Sequence, residues 1–192
     1  MTRDHEPRFP TNRERLMDAA GALFYREGLH AITAERVAGE AGLTKPTIYN
    51  LFGSKDALVA ETLERRGAQI RQHIARRAAA ERAPEDKLMA VLLVHAEMLV
   101  SDGFHGCPLV IAAVQAPGSA QARELANAHK LWLQELLARF ARGAGLKSPD
   151  VLASSLVLIL EGAAAMSAVQ PAPLVARHAR AATRALIAAH TP

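Results

Sequence analysis

The apolar residues of this chain recur at spacings of three and four, and glycine or proline stands at nearly every break in that rhythm. Residues spaced i, i+3, i+4 and i+7 share one face of a helix, whereas a half-buried strand alternates. No strand-like alternation survives a pass along the sequence, and the turn signals cut it into about nine helical segments. The first, over 12–27, puts Leu16, Ala19, Ala20, Leu23 and Phe24 on one face and stops at Gly28. Thr33 has the position of an N-cap for a short helix with Val37, Ala38 and Ala41 inward, closed by Gly42. Thr44 is expected to cap the next helix, which carries Pro46 in its first turn and is anchored by Ile48 and Phe52. Gly53-Ser54 breaks the chain again before a long helix over 54–80. Pro84 opens a different kind of sequence, with helices expected over 84–101, 107–115, 119–142, 149–169 and 172–189. Their apolar stripes are broad, as with Leu88, Val91, Leu92, His95, Met98 and Leu99, which implies burial on several sides. Composition agrees: 40 Ala and 18 Arg favour helix, while Phe, Trp and Tyr amount to 4%. The expected fold is all-α, with a three-helix domain over 1–53, a connecting long helix over 54–82 and a helical bundle over 83–192.

Several function classes lack their parts. The single Cys107 excludes an internal disulfide framework and an all-cysteine metal site. Eight histidines include no H-x-x-x-H or H-E-x-x-H pair, so no metal is expected. There is no Gly-rich phosphate loop, no G-x-S-x-G elbow and no evident paired-carboxylate site, so neither an enzyme nor a cofactor is expected. Residues 1–7 carry no apolar stretch that would read as a secretory signal. Residues 151–169 are nearly all apolar or small, but Glu161 near their middle costs about 2.5–3.5 kcal/mol on membrane-insertion scales. A buried helix of a soluble, cytoplasmic protein, without a membrane partner, is the expectation.

The net charge of +4 is unevenly placed. Residues 1–60 hold 8 basic and 8 acidic side chains, 61–82 hold 6 and 3, and 83–192 hold 9 and 8. A case for nucleic acid therefore rests on placement and not on totals. Residues 33–52 have that placement, two short helices joined by a turn at Gly42, as in a helix-turn-helix. The second helix keeps a narrow apolar side, while Pro46 and Asn50 point away from it and Thr47 and Tyr49 flank it. Thr47 can offer a methyl to thymine and a hydroxyl to a base or phosphate, Asn50 can pair with adenine, and Lys45 can reach guanine or phosphate. Lys55 sits in the first turn of the long helix, where the macrodipole opposes a cation unless a phosphate lies beside both. Thr33 offers a hydroxyl and free backbone N–H groups to a second phosphate. The plain alternative is a solvated surface helix in some other bundle.

Residues 13–58 resemble the N-terminal DNA-binding domain of the TetR/AcrR family of bacterial transcription regulators. The residues that carry the resemblance are Arg13, Leu16, Ala19-Ala20, Leu23-Phe24, Gly28, Ile32-Thr33 and Val37-Ala38. They continue through Ala41-Gly42-Leu43-Thr44-Lys45, Thr47-Ile48-Tyr49, Phe52 and Ser54-Lys55-Asp56-Ala57-Leu58. The resemblance implies base or backbone contacts for Lys45, Pro46, Thr47, Tyr49 and Asn50, and phosphate contacts for Thr33, Tyr49 and Lys55. Thr44, at the head of the helix, completes the candidate DNA-binding set. Leu51 stands where many relatives carry a polar or aromatic residue, and Glu35 where some place a basic base-reader. A weaker likeness at 104–109 and 158–163 implies a helical ligand-binding and dimerisation domain. The expectation is a homodimeric regulator, a repressor, released from double-stranded, palindromic operator DNA by a small, mainly apolar effector.

Candidate ligand contacts are His95, Met98, Phe104, Cys107, Val110, His129, Trp132 and Met166, which together can line an apolar pocket with a few polar handles. Cys107 precedes Pro108, which places its sulfur at a helix N-terminus with His105 near in sequence. That setting favours thiolate, so a thiol-based redox- or electrophile-sensing repressor is an alternative; a small buried filler is the plainer one. Glu161 interrupts its apolar helix and can face the pocket, an interface or a wet rim. The small residues Gly162, Ala163, Ala164 and Ala165 suit close helix approach in a dimer bundle with the last helix. Arg65, Arg66, Arg71, Arg76, Arg77 and Arg82 are expected to form a solvated face of the long helix. The remaining rivals are a helical protein-binding scaffold and an all-α enzyme using the C-terminal cavity.

Overall fold

A computed structural model describes residues 10–192 apart from His105. Residues 1–7, read for a signal, and His105, placed near Cys107, lie outside the described residues. The elements are α1 (Asn12–Glu27), α2 (Ala34–Glu40), α3 (Lys45–Phe52), α4 (Lys55–Ala79), α5 (Pro84–Leu99), α6 (Pro108–Gln115), α7 (Ala120–Gly143), α8 (Pro149–Met166) and α9 (Ala172–Ala189). A single 3₁₀ turn over Leu29–Ala31, which the sequence pattern did not signal, joins α1 to α2. Among the described residues there is no strand, as expected. The chain divides into two compact units, Met1–Glu64 and Arg65–Pro192.

In the first unit α1 packs on α2 and α2 on α3. Leu16, Ala20, Leu23, Val37 and Ile48, positions that the three- and four-residue spacing marks as inward, are buried there, and so is Leu58. Thr11 and Glu14 form a reciprocal capping box that starts α1. Two arginines of α1 then organise the rest. Arg15 donates to the Ala41 carbonyl at 2.6 Å, and Leu43 N–H donates to the Ala38 carbonyl at 2.8 Å, which closes the turn after α2. Gly42 holds φ +62° in that turn, and a Cβ there would stand 3.1 Å from the Arg15 guanidinium, so glycine is favoured. Arg13 donates to the Leu51 carbonyl, pairs with Glu61 and lies 4.3 Å from the centre of the Phe52 ring, tying α1 to α3 and α4.

In the second unit α7 packs against α5, α6 and α8, and α9 against α5 and α8. Its core includes Ile74, Leu88, Val91, Leu133, Leu137, Leu152 and Leu156. The α5 stripe is buried as expected at Leu88, Val91, Leu92 and Leu99, with Ala90 and Val94 buried beside it. By length and composition α8 is apolar enough to cross a membrane. Its Leu152, Ala153, Leu156, Val157 and Leu160 are instead in the core of this unit. The helix ends at Met166, short of 169, because residues 167–170 turn back onto carbonyls of its last turn. Ala163 departs from its expected place at a subunit interface, being buried within the chain against Leu99 and Val175. Exposed apolar side chains remain on and after α8: Val151, Leu158 (73% exposed), Met166 and Val169 (78%).

Candidate functional site

The N-terminal residues of α2, α3 and α4 border one open depression in the first unit. Thr33 and Glu35 line it from α2, Lys45 and Tyr49 from α3, and Ser54, Lys55 and Asp56 from the start of α4. Proline at the second position of α3 is tolerated because its missing N–H would be unpaired there anyway. Apart from buried Ile48 and Phe52, α3 turns its polar side outward, with Thr44, Lys45, Pro46 and Asn50 exposed and Tyr49 45% exposed. Thr47 is half-buried. Thr33 caps α2 by accepting from Arg36 N–H at 3.2 Å, and Ser54 accepts from Ala57 N–H at 3.0 Å at the head of α4. Thr44 has the extended backbone of an N-cap but makes no side-chain cap bond; its hydroxyl lies 3.0 Å from that of Thr47. The capping role expected of Thr44 is therefore corrected: the hydroxyl–hydroxyl contact replaces it.

Electrostatically the depression is balanced but adjustable. Lys45 donates to Glu35, which holds the Glu35 carboxyl below the usual range and the Lys45 ammonium above it. Lys55 lies 3.5 Å from Asp56, whose carboxylate offsets the cation at this helix start. Both pairs are exposed, where partners exchange at little cost. Peptide N–H groups at the starts of α3 and α4, two ammonium groups and several hydroxyls thus surround one groove, the donor set for a phosphate backbone.

A second site lies wholly in the second unit, a cavity partly open to solvent. Five of the sequence candidates line it: His95, Met98, Phe104, Cys107 and His129. Three do not. Val110 is half-buried on α6, Trp132 packs on the main core and stacks on His129 with ring centres 6.1 Å apart, and Met166 is exposed. Helical periodicity gives a residue's face, not the neighbour that face meets. Glu161, left open between pocket, interface and rim, lines the cavity and pairs with Lys130. Lys130 itself escaped the sequence reading. The available signal was Glu161, since a carboxylate in an apolar helix demands a cation, but it does not say which. Cys107 is the N-cap of α6, the helix start expected for it. Of the arginines assigned to a solvated face, Arg66, Arg76 and Arg82 are exposed, whereas Arg77 is held by Glu97 at 2.9 Å.

Residues 16–62 match the family model of bacterial regulatory proteins, tetR family. A comparison with curated protein sequences gives no match. Among solved structures, a TetR-family transcriptional regulator from Streptomyces coelicolor superposes with a TM-score of 0.89 at 24% identity, over 94% of this chain and 96% of that one. A tetR-type regulator from Streptomyces avermitilis gives 0.76 at 28% identity, over 94% and 98%. A regulator from Saccharomonospora viridis in complex with choline gives 0.77 at 18% identity, over 88% and 93%.

Burial, with help from Lys130, Arg71 and His95, lowers the His129 pKa from 6.5 to about 3, and burial also lowers that of His95. Both rings are neutral when folded, while the unfolded chain takes up protons below about 6.5. Their contribution to stability is present above that pH and is lost as the pH falls toward 3. Urea unfolding between pH 7.5 and 4.5 is expected to show a shallower loss of stability in His129→Phe than in the parent chain.

Proposed function

We propose that this chain, a member of the tetR family of bacterial regulatory proteins, works as a ligand-responsive homodimeric repressor in the cytoplasm. The observation that carries the reading is the single groove into which Thr33, Lys45, Tyr49, Ser54 and Lys55 converge. Beside it α3 is the recognition helix; its Lys45 and Tyr49 line the groove, while Thr44, Pro46, Thr47 and Asn50 lie outside that lining. Lys45, Thr47 and Asn50 read base edges, Tyr49 and Pro46 contact bases or backbone, and Thr33, Thr44 and Lys55 hold phosphates. Two copies of α3 enter successive major grooves of a near-palindromic operator, about 34–36 Å apart. The DNA-binding module is residues 1–53, the helix over 54–82 is the connector, and 83–192 bind ligand and dimerise.

The cavity of the second unit is the effector site. Choline in the Saccharomonospora viridis relative supports a small organic molecule as the class. An effector releases the operator only if it binds a DNA-incompetent dimer better than the competent one. The dimer face is the exposed apolar surface of α8 with the segment that follows it, Leu158 and Val169 being its most exposed members.

Promoter DNA flanking the chain's own gene tests the DNA assignment. Lys55→Ala is expected to weaken specific and non-specific DNA alike, and to shallow the slope of log affinity against log salt by about one unit per half-site. Asn50→Ala should instead cost about 1–3 kcal/mol on the operator, relax preference at one or two base pairs and leave the salt slope nearly unchanged. Anisotropy titrations across a salt series distinguish the two patterns, and the reverse assignment of effects would mean that α3 docks in another orientation.

Leu158→Arg tests the dimer. Sedimentation at micromolar concentration should show the parent as a dimer and the variant as a folded monomer with a parental helical circular-dichroism spectrum. A variant that stays dimeric would move the interface elsewhere.

A further inference from the structure

The helices around the second-unit cavity leave specific polar groups unused. His95 donates its Nδ1–H to the Val91 carbonyl at 2.8 Å, and since a carbonyl only accepts, that nitrogen carries the proton. Burial keeps the ring neutral, so Nε2 holds a lone pair that can accept a hydrogen bond. His129 lines the same cavity at 2% exposure, and its Nδ1 has no hydrogen-bond partner among the described residues. An unmet buried polar atom of this kind costs free energy until something answers it. The remaining ionisable groups in the wall are Cys107 and the Lys130–Glu161 pair, whose two charges cancel. Arg71, on α4, is the further cation that acts on His129. Ile70, Met98, Phe104 and Leu160 supply the apolar surface.

Building on the reading of this unit as the effector module, we propose that the cavity takes a small uncharged molecule with an apolar body and a hydroxyl group that donates to His95 Nε2, an alcohol or a phenol. A carboxylate would have to take Lys130 from Glu161, and an ammonium would have to take Glu161 from Lys130. Either exchange leaves one part-buried charge without its partner. A purely accepting ligand, such as an ether, leaves the His95 lone pair unmet. A hydroxyl both donates and accepts, so it can answer a lone pair on one ring and an N–H on another.

Four probes of similar size separate these classes on the full chain at pH 7.5: benzyl alcohol, benzyl methyl ether, benzoate and benzylamine. Ligand-observed NMR titration should show benzyl alcohol binding about tenfold more tightly than each of the others. In His95→Leu, which removes the acceptor and keeps an apolar filler, the alcohol should fall to the level of the ether; His95→Gln, which restores an acceptor, should recover part of the preference. If these variants fail to fold, the ranking of the four probes on the parent chain decides. Benzoate or benzylamine binding as tightly as the alcohol would overturn the proposal, as would the absence of alcohol binding at millimolar concentration. Operator release is read separately. Alcohol binding without release would support the cavity chemistry and overturn the effector reading, whereas release by another compound without alcohol binding would do the reverse.

Discussion

Arg13 makes the interaction on which the surface around α3 depends. Helices α2 and α3 are seven and eight residues long, too short to hold their conformation alone in water. Their burial against α1 supplies most of what is missing, through Leu16, Leu23, Val37 and Ile48. Arg13 adds a directed tie: one guanidinium holds the Leu51 carbonyl near the end of α3, covers the Phe52 ring and pairs with Glu61 on α4. Arg15 does the same for the end of α2 through the Ala41 carbonyl. One arginine of α1 thus ties down the end of α3 and the other the end of α2.

Two ion pairs divide the electrostatic work of the chain. The Glu35–Lys45 pair is exposed, so its carboxylate can be exchanged for a phosphate at little net cost, and it lowers the charge that the free groove shows to other anions. The Lys130–Glu161 pair is part-buried, with side-chain exposures of 17% and 28%. Breaking it leaves a charge in a poorly solvated site, so it acts as a fixed wall and selects against charged occupants. The same chemistry thus yields an exchangeable contact on one unit and a rigid one in the other.

The N-terminal unit was legible in the sequence because its signals are local. Periodic Leu16, Ala20 and Leu23, the cap at Thr33 and the left-handed glycine at 42 each act within a few residues of themselves. Thr44 misled because two hydroxyls three residues apart can satisfy each other in place of a backbone N–H. The second unit was legible as helices but less so as a site. His95, Met98, Phe104, Cys107 and His129 were named and do line the cavity, since polar or bulky residues on apolar helices stand out. Trp132 and Met166 lie away from it, and Ala163 turned out to pack within the chain, because the partner that a helix face meets is a tertiary fact. Lys130 was missed for the same reason.

The central claim, that the helix starts around α3 form the DNA-contacting surface, is tested most directly by amide hydrogen exchange of the full chain with and without its operator. The account predicts slowed exchange on DNA binding at residues 33–36, 45–50 and 54–57. Protection that leaves α3 unchanged and falls on the polar face of α1 or elsewhere would contradict it.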